Sequence, residues 1–310
     1  MEGTLTLETP DSIAAIEVYS YLPPGVDPLD SDMPSTVAVA NIIGVAGTCT
    51  WERQGGESVS IPANAVEIQV KGSEGRRRNR VQVPAWIDAA TTTVVDRDAA
   101  KLIEPLLPVD RPLNVALEEL ATHRKFEVRM LVARCLAMLG QYEKLVKQLS
   151  EEQYKAYWMK PDGHIDTMRK QLARGPAVAE QIRTGLIETR GEKDGQLLYR
   201  LLVGYNNQQL VKGDAKIGPA GGGYDEQLVN LLAHPSLDVR ILAIYNLNQI
   251  TGTMHLYNPL QTADKAKARI KAWQESLDKG QIRYAAEPSP LTEFKSLEIK
   301  GEDAEKGKGK

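Results

Sequence analysis

The chain is short of the residues that staple or anchor a small protein. Two of its 310 residues are cysteine, two are phenylalanine, and aromatics make up 5%. Cys49 and Cys135 stand far apart, in neither a disulfide framework nor a metal-spaced pair. No apolar run approaches the ~18 residues of a membrane span. The opening Met-Glu-Gly-Thr-Leu-Thr has no positive n-region and no apolar h-region, so it does not read as a signal peptide. An exported form would carry this sequence as a processed or truncated piece. Neither sign of charge dominates: the net charge is −3, with both signs spread along the chain. That distribution leaves no global basic footprint for nucleic acid.

Familiar reaction motifs are missing too. There is no Gly-x-Ser-x-Gly elbow and no His-Glu-x-x-His, and the four histidines, His123, His164, His234 and His255, are scattered. Gly218-Pro-Ala-Gly-Gly-Gly223 lacks the Gly-Lys-Ser/Thr ending of a phosphate loop. Gly44-Val-Ala-Gly47 reads as a turn between strands. Cys135 falls on an apolar stripe, where a thiol acts as a small hydrophobe and burial makes it inert. No cofactor or metal is expected.

What the chain does have is a repeated stretch. His234-Pro-Ser-Leu-Asp-Val-Arg to Gly252 echoes His123-Arg-Lys-Phe-Glu-Val-Arg to Gly140, with Val239 standing 111 residues after Val128. At that offset His123 meets His234, Glu127 meets Asp238, Arg129 meets Arg240 and Leu131 meets Leu242. Val239, Leu242, Ala243, Leu247 and Ile250 recur at three- and four-residue steps and line one helical face. Each copy follows a shorter apolar-periodic stretch, around Leu113–Leu120 and Leu228–Leu232. A short helix, a turn and a longer helix make a two-helix hairpin. An acidic residue before Val-Arg at the start of the second helix resembles HEAT-type repeats, whose units stack to bury their apolar faces. Arg129 and Arg240 are expected in ion pairs or carbonyl contacts, and His123 and His234 at hairpin corners.

The rest of the chain divides around this helical part. Residues 1–95 read as β, from Thr4–Glu8 through Ile13–Leu22, Thr36–Ile43, Thr48–Arg53, Ser58–Ile61, Val66–Val70 and Arg80–Val83. Gly and Pro punctuate these runs as in a small antiparallel β-sandwich. Trp51 and Trp86 read as core or rim residues. Arg76, Arg77 and Arg78 form one sharp basic cluster, either a solvated hairpin tip or a contact for an anion or acidic polymer. Residues 96–111, with Pro105 and Pro108, read as a linker, 112–286 as helical, and 287–310 as a charged tail. Tyr245, His255 and Tyr257 cluster in sequence near the end of the second copy. They are either a ligand surface or packing under the last helix against Trp273.

Arg111-Pro-Leu-Asn-Val-Ala-Leu-Glu-Glu-Leu-Ala through Gly140, Leu172-Ala-Arg-Gly-Pro176, Leu198-Tyr-Arg-Leu-Leu-Val-Gly-Tyr205, Leu247-Asn-Gln-Ile-Thr-Gly252 and Tyr257-Asn-Pro259 carry a family likeness. Over roughly residues 35–284 the chain resembles uncharacterised bacterial envelope-type proteins that join a FecR-like β domain to a HEAT-like helical region. The resemblance implies an α+β chain, β-sandwich first and helical repeats second. It brings no catalytic residue, and members usually carry a membrane anchor further upstream. The expectation is a non-enzymatic interaction or scaffold protein with a protein partner. It would sit at the envelope or periplasm if processed or truncated, and in the cytoplasm otherwise. An extracytoplasmic regulatory or sensing module of FecR type, or an enzyme with an unrecognised site, stands as the alternative.

Overall fold

The computed structural model describes residues 2–30, 36–56, 58–71, 75–79, 87, 93–160, 163–212 and 223–290. Antiparallel sheets come first and helices follow. The chain divides into two compact units, each taken by itself. Trp86, the run 80–83, residues 218–222 and the tail 291–310 lie outside the described residues.

The first unit contains seven strands among the described residues: β1 (Gly3–Leu7), β2 (Ile13–Tyr21), β3 (Val37–Ala46), β4 (Thr48–Arg53), β5 (Ser58–Pro62), β6 (Ala65–Val70) and β7 (Arg76–Asn79). They form a three-stranded sheet ordered β1-β4-β5 and a four-stranded sheet ordered β2-β3-β6-β7, all pairs antiparallel. The chain changes sheets at two corners that bind one another. Gly47, at φ +63°, turns β3 into β4, and its carbonyl accepts from Ala63 N at 2.9 Å. Gly44 accepts from Asn64 N at 2.9 Å, and a Cβ at Gly44 would stand 2.2 Å from the Pro62 carbonyl oxygen. Glycine is required there by close approach of backbone. Ile42 and Ala65 of one sheet meet Cys49 and Ile61 of the other, so the sheets pack face to face. The opposite face of the larger sheet gathers Tyr21, Val39, Ile43, Val66, Ile68 and Val70.

The second unit holds twelve α-helices among the described residues. They are α1 (Val94–Ile103), α2 (Leu113–Leu120), α3 (Phe126–Met138), α4 (Glu143–Gln148), α5 (Lys155–Trp158), α6 (His164–Leu172), α7 (Pro176–Arg190), α8 (Glu192–Val203), α9 (Asn207–Lys212), α10 (Tyr224–Leu231), α11 (Leu237–Thr251) and α12 (Ala263–Asp278). The 111-residue echo is kept in the fold: α2 and α10 begin and end at equivalent positions, and α3 and α11 begin at equivalent positions. Gly140 (φ +89°) closes α3, donating to Ala137 O at 3.1 Å while Gln141 N donates to Leu136 O at 2.9 Å. That pair of bonds is a Schellman cap, which takes up the orphan carbonyls of the last turn. Trp158 and Trp273 are among the largest side chains sealed in the core. No described helix is long and apolar enough to cross a membrane.

Two stretches differ from the sequence reading. The segment expected to be a linker, 96–111, is helical in its first half, because α1 presents Ala99 and Ile103 to Leu117, Val128, Val132 and Leu136. Pro105 falls in the 3-10 turn that follows α1, where a missing N–H costs little. The loop after β2, expected within the β half, belongs to the helical unit. Gly25 N donates to Val203 O at 3.3 Å, Gln209 Nε2 donates to Gly25 O at 3.0 Å, and Tyr199 OH donates to Asp27 Oδ1 at 2.7 Å. Leu22 and Leu29 pack on the helical core beside these bonds. Gly25 (φ +81°) lies so close to Gln209 that a Cβ would meet its Oε1 at 2.1 Å. Burial and the Asp27 contact push the Tyr199 hydroxyl well above its ordinary range.

Candidate functional site

The duplicated hairpins carry the most distinctive polar residues, and both copies use them alike. Arg129 Nη1 donates to His123 O at 2.7 Å and to Arg124 O at 3.1 Å. Arg240 Nη1 donates to His234 O at 2.6 Å and to Pro235 O at 2.8 Å. His123 Nδ1 accepts from Lys125 N, and His234 Nδ1 from Ser236 N, each at 3.2 Å. The guanidinium thus clamps the corner's outward carbonyls while the imidazole binds the backbone two residues on. Each arginine also ties its corner to the next segment, Arg129 through Tyr154 OH at 3.0 Å and Arg240 through Pro259 O at 2.9 Å. These are carbonyl and hydroxyl contacts that hold a turn, with no carboxylate partner among the described residues.

The acidic position diverges. Asp238 is 1% exposed; its Oδ2 accepts from Arg190 Nε at 2.5 Å and its Oδ1 from Val239 N at 3.1 Å. Arg190 also donates to Val146 O at 3.1 Å and to Ser150 Oγ at 2.9 Å. Glu127 is only half-buried and makes no ion pair among the described residues.

Tyr245, His255 and Tyr257 do not form an exposed face. Tyr257 is 3% exposed, and its hydroxyl donates to Leu232 O at 2.5 Å. Burial raises that hydroxyl to about 12. Tyr245 is 8% exposed, with the Arg169 guanidinium 5.7 Å from its ring centre. His255 lies edge-on to Trp273, ring centres 4.5 Å apart, and its Nε2 is 3.1 Å from Ser276 Oγ. His255 thus packs on α12, Tyr257 bonds the chain at the end of α10, and Tyr245 faces Arg169 of α6. His255 and Leu256 both adopt left-handed backbone, at φ +44° and +57°, a strained pair for side-chain-bearing residues.

Arg76, Arg77 and Arg78 lie on β7, at the edge of the four-stranded sheet among the described residues. Arg77 Nη1 donates to Ser60 O at 2.8 Å, and Arg77 pairs in register with Glu67. Glu67 is buried; desolvation raises its carboxyl, against a bond from Gln69 Nε2 at 2.7 Å and the nearby Arg77 charge.

Sequence reasoning gave no role to His164, which is sealed in the helical core. Its Nε2 is 2.8 Å from Gln148 Oε1. Gln148 in turn donates to Arg129 O at 3.2 Å and accepts from Trp158 Nε1 at 2.9 Å. Burial and the Arg134 charge drop the imidazole to about 3, so it is neutral at physiological pH and bonded at one nitrogen. Burial raises the thiols of Cys49 and Cys135. Cys135 is half-buried against Leu136 and its neighbours, and Cys49 is fully buried near the Ile61 carbonyl. At Cys135 burial outweighs the lowering effect of the Arg134 charge, so neither thiol is drawn toward the thiolate that makes a nucleophile.

A cleft of about 470 Å³ is formed by Glu118 of α2, the Gly140–Lys144 corner and the Glu180–Glu188 face of α7. The Schellman cap at Gly140 turns Gln141 and Tyr142 into it, and Gly185 leaves room for the stem of Tyr142, a Cβ there lying 3.8 Å from Tyr142 Cβ. Glu118, Glu143, Glu180 and Glu188 outnumber Lys144 on its walls. Glu143 is paired to Lys147 at 2.5 Å, Glu180 to Arg183 at 2.7 Å and Glu118 to Lys144 at 3.5 Å. Hydrogen bonds from Lys147 and Arg183 hold the Glu143 and Glu180 carboxyls below the usual range. No group of three His, Cys, Asp or Glu among the described residues is arranged for a metal ion. Comparison with family models, curated proteins and solved structures finds no match.

Proposed function

We propose that the protein is a non-enzymatic interaction module, in which HEAT-type hairpins present a surface to a protein partner. The supporting observation is the cleft beside Tyr142. It is open, with carboxylates from α2, α4 and α7 on its walls, and the partner segment that fits it carries lysine or arginine. The recurring Arg-to-corner bonds at Arg129 and Arg240 support the HEAT-type reading, since they repeat one hairpin geometry at two places. The resemblance to envelope-type proteins supports placing this activity at the cell envelope. The test compares two baits, the native chain and the double variant Glu180→Lys, Glu188→Lys, in cross-linked extracts of the source cells. A partner captured by the first and lost from the second carries the reading. Identical captures overturn the cleft as the contact.

A further inference from the structure

We infer that β2 is the contact strand of a homodimer, pairing antiparallel with β2 of a second copy about an axis through Val18. This surface is distinct from the acidic cleft and does not depend on it. Four strand edges are open among the described residues, and they are not equivalent. β7 carries Arg-Arg-Arg-Asn, and a second copy of that edge would set like charges against each other. β1 and β5 are five residues each, and β5 ends in Pro62. β2 is nine residues, Ile-Ala-Ala-Ile-Glu-Val-Tyr-Ser-Tyr, without proline or lysine and with one charge. Its one charge, Glu17, accepts a bond from Asn41 Nδ2 at 3.0 Å, and its register irregularity lies at the Ile13 end, so Ala15–Tyr21 pair with β3 in unbroken register.

Its side chains lead the same way. Ile16 and Val18 alternate onto one face, in register with Ile42 and Ala40. Ile42 is covered by the smaller sheet, which reaches β2 at Ala14, but Ile16 is 51% and Val18 70% exposed. An antiparallel two-fold contact is self-complementary, so its centre residue opposes itself. Centred on Glu17, it would set two carboxylates directly opposite, which is unfavourable. Centred on Val18, it sets Val18 against Val18, Glu17 against Tyr19 and Ile16 against Ser20. That register joins the two exposed apolar strips into one and separates the charges, and it closes, leaving no further edge of this kind.

The test uses the full chain. Sedimentation of the native protein at ~10–100 µM is expected to show a dimer. Val18→Lys is expected to give a folded monomer with an unchanged circular-dichroism spectrum. Val18→Cys is expected to form a disulfide-linked dimer on mild oxidation, since directly opposed Cα atoms stand ~4.5–5.5 Å apart in either type of antiparallel pair. Ser20→Cys, which faces Ile16 in this register, is the control and is expected to remain uncrosslinked. A native chain that stays monomeric throughout that range overturns the proposal. So does a dimer indifferent to Val18→Lys, or crosslinking at Ser20→Cys in preference to Val18→Cys.

Discussion

The two copies of the helical hairpin share a corner and differ in what surrounds it. Arg129 and Arg240 make matching bonds to matching carbonyls, and His123 and His234 accept from the amide two residues on. Yet α11 is buried on nearly every side, including Asp238, Tyr245 and Asn246, whereas α3 leaves Leu131, Arg134 and Cys135 half-buried and Met138 exposed. One local design serves a helix inside the unit and another nearer its margin. The corner chemistry travels with the sequence, and the energetic weight of each residue is set by its neighbours.

That contrast is broken most forcefully at the acidic position. Asp238→Ala leaves the Arg190 guanidinium without its buried carboxylate, and urea unfolding is expected to show a loss of about 3–5 kcal/mol. Glu127→Ala, one copy earlier, is expected to stay within about 0.5 kcal/mol. Equal losses would mean that the two corners are energetically alike. The equivalent leucines come next. Leu242→Ala, fully buried, is expected to lose about 2–5 kcal/mol, and half-buried Leu131→Ala under about 2 kcal/mol.

Acid sharpens a second comparison, between a buried base and a buried acid. His164 is held neutral in the fold at about 3 against an ordinary 6.5. Between those values the unfolded chain binds the proton and the folded one does not. Its stabilisation is therefore complete above pH 6.5 and is lost as pH falls toward 3, by about 1.4 kcal/mol per pH unit at most. Glu67 has the opposite sign: burial raises its carboxyl, so its contribution is largest in acid and is lost as pH rises through its folded value. Acid titrations of the wild type and His164→Gln check this, with the variant's melting curve flatter between pH 6 and pH 4. Among the changes at buried residues the smallest effect is expected at Tyr257→Phe, about 1 kcal/mol, from the lost bond to Leu232 O. A neutral result would show that this buried carbonyl finds another donor.

The helices of the repeated unit were legible because their signals are local. Gly140 and Gly252 sit just past the last apolar turn, and the 111-residue offset placed both hairpins before any contact was known. The last helix, expected at Trp273, appears as α12 with Ala266 and Trp273 sealed in the core. α1 was hidden behind the prolines that follow it. The candidate patch of Tyr245, His255 and Tyr257 was read from proximity in sequence. Nothing local told that Tyr257 would be sealed with its hydroxyl on Leu232 O or that His255 would pack on Trp273 of α12. His164 carried no signal either, because a buried histidine and an exposed one look alike until their neighbours are known.

By itself, then, the sequence determined the order of sheets and helices, the hairpin duplication, the caps that end its helices and the want of a membrane-spanning helix among the described residues. Periodicity and backbone stereochemistry act within a few residues, so a single chain displays them openly. Tertiary structure alone decided that Gly25 and Asp27, embedded among strands, bond to Val203, Gln209 and Tyr199. It alone decided that Asp238 meets Arg190, that Glu67 is buried on β6, and that Ile16 and Val18 are left without cover. Each of these depends on which surface another element happens to occupy, a relation between residues tens to more than a hundred positions apart that no local pattern encodes.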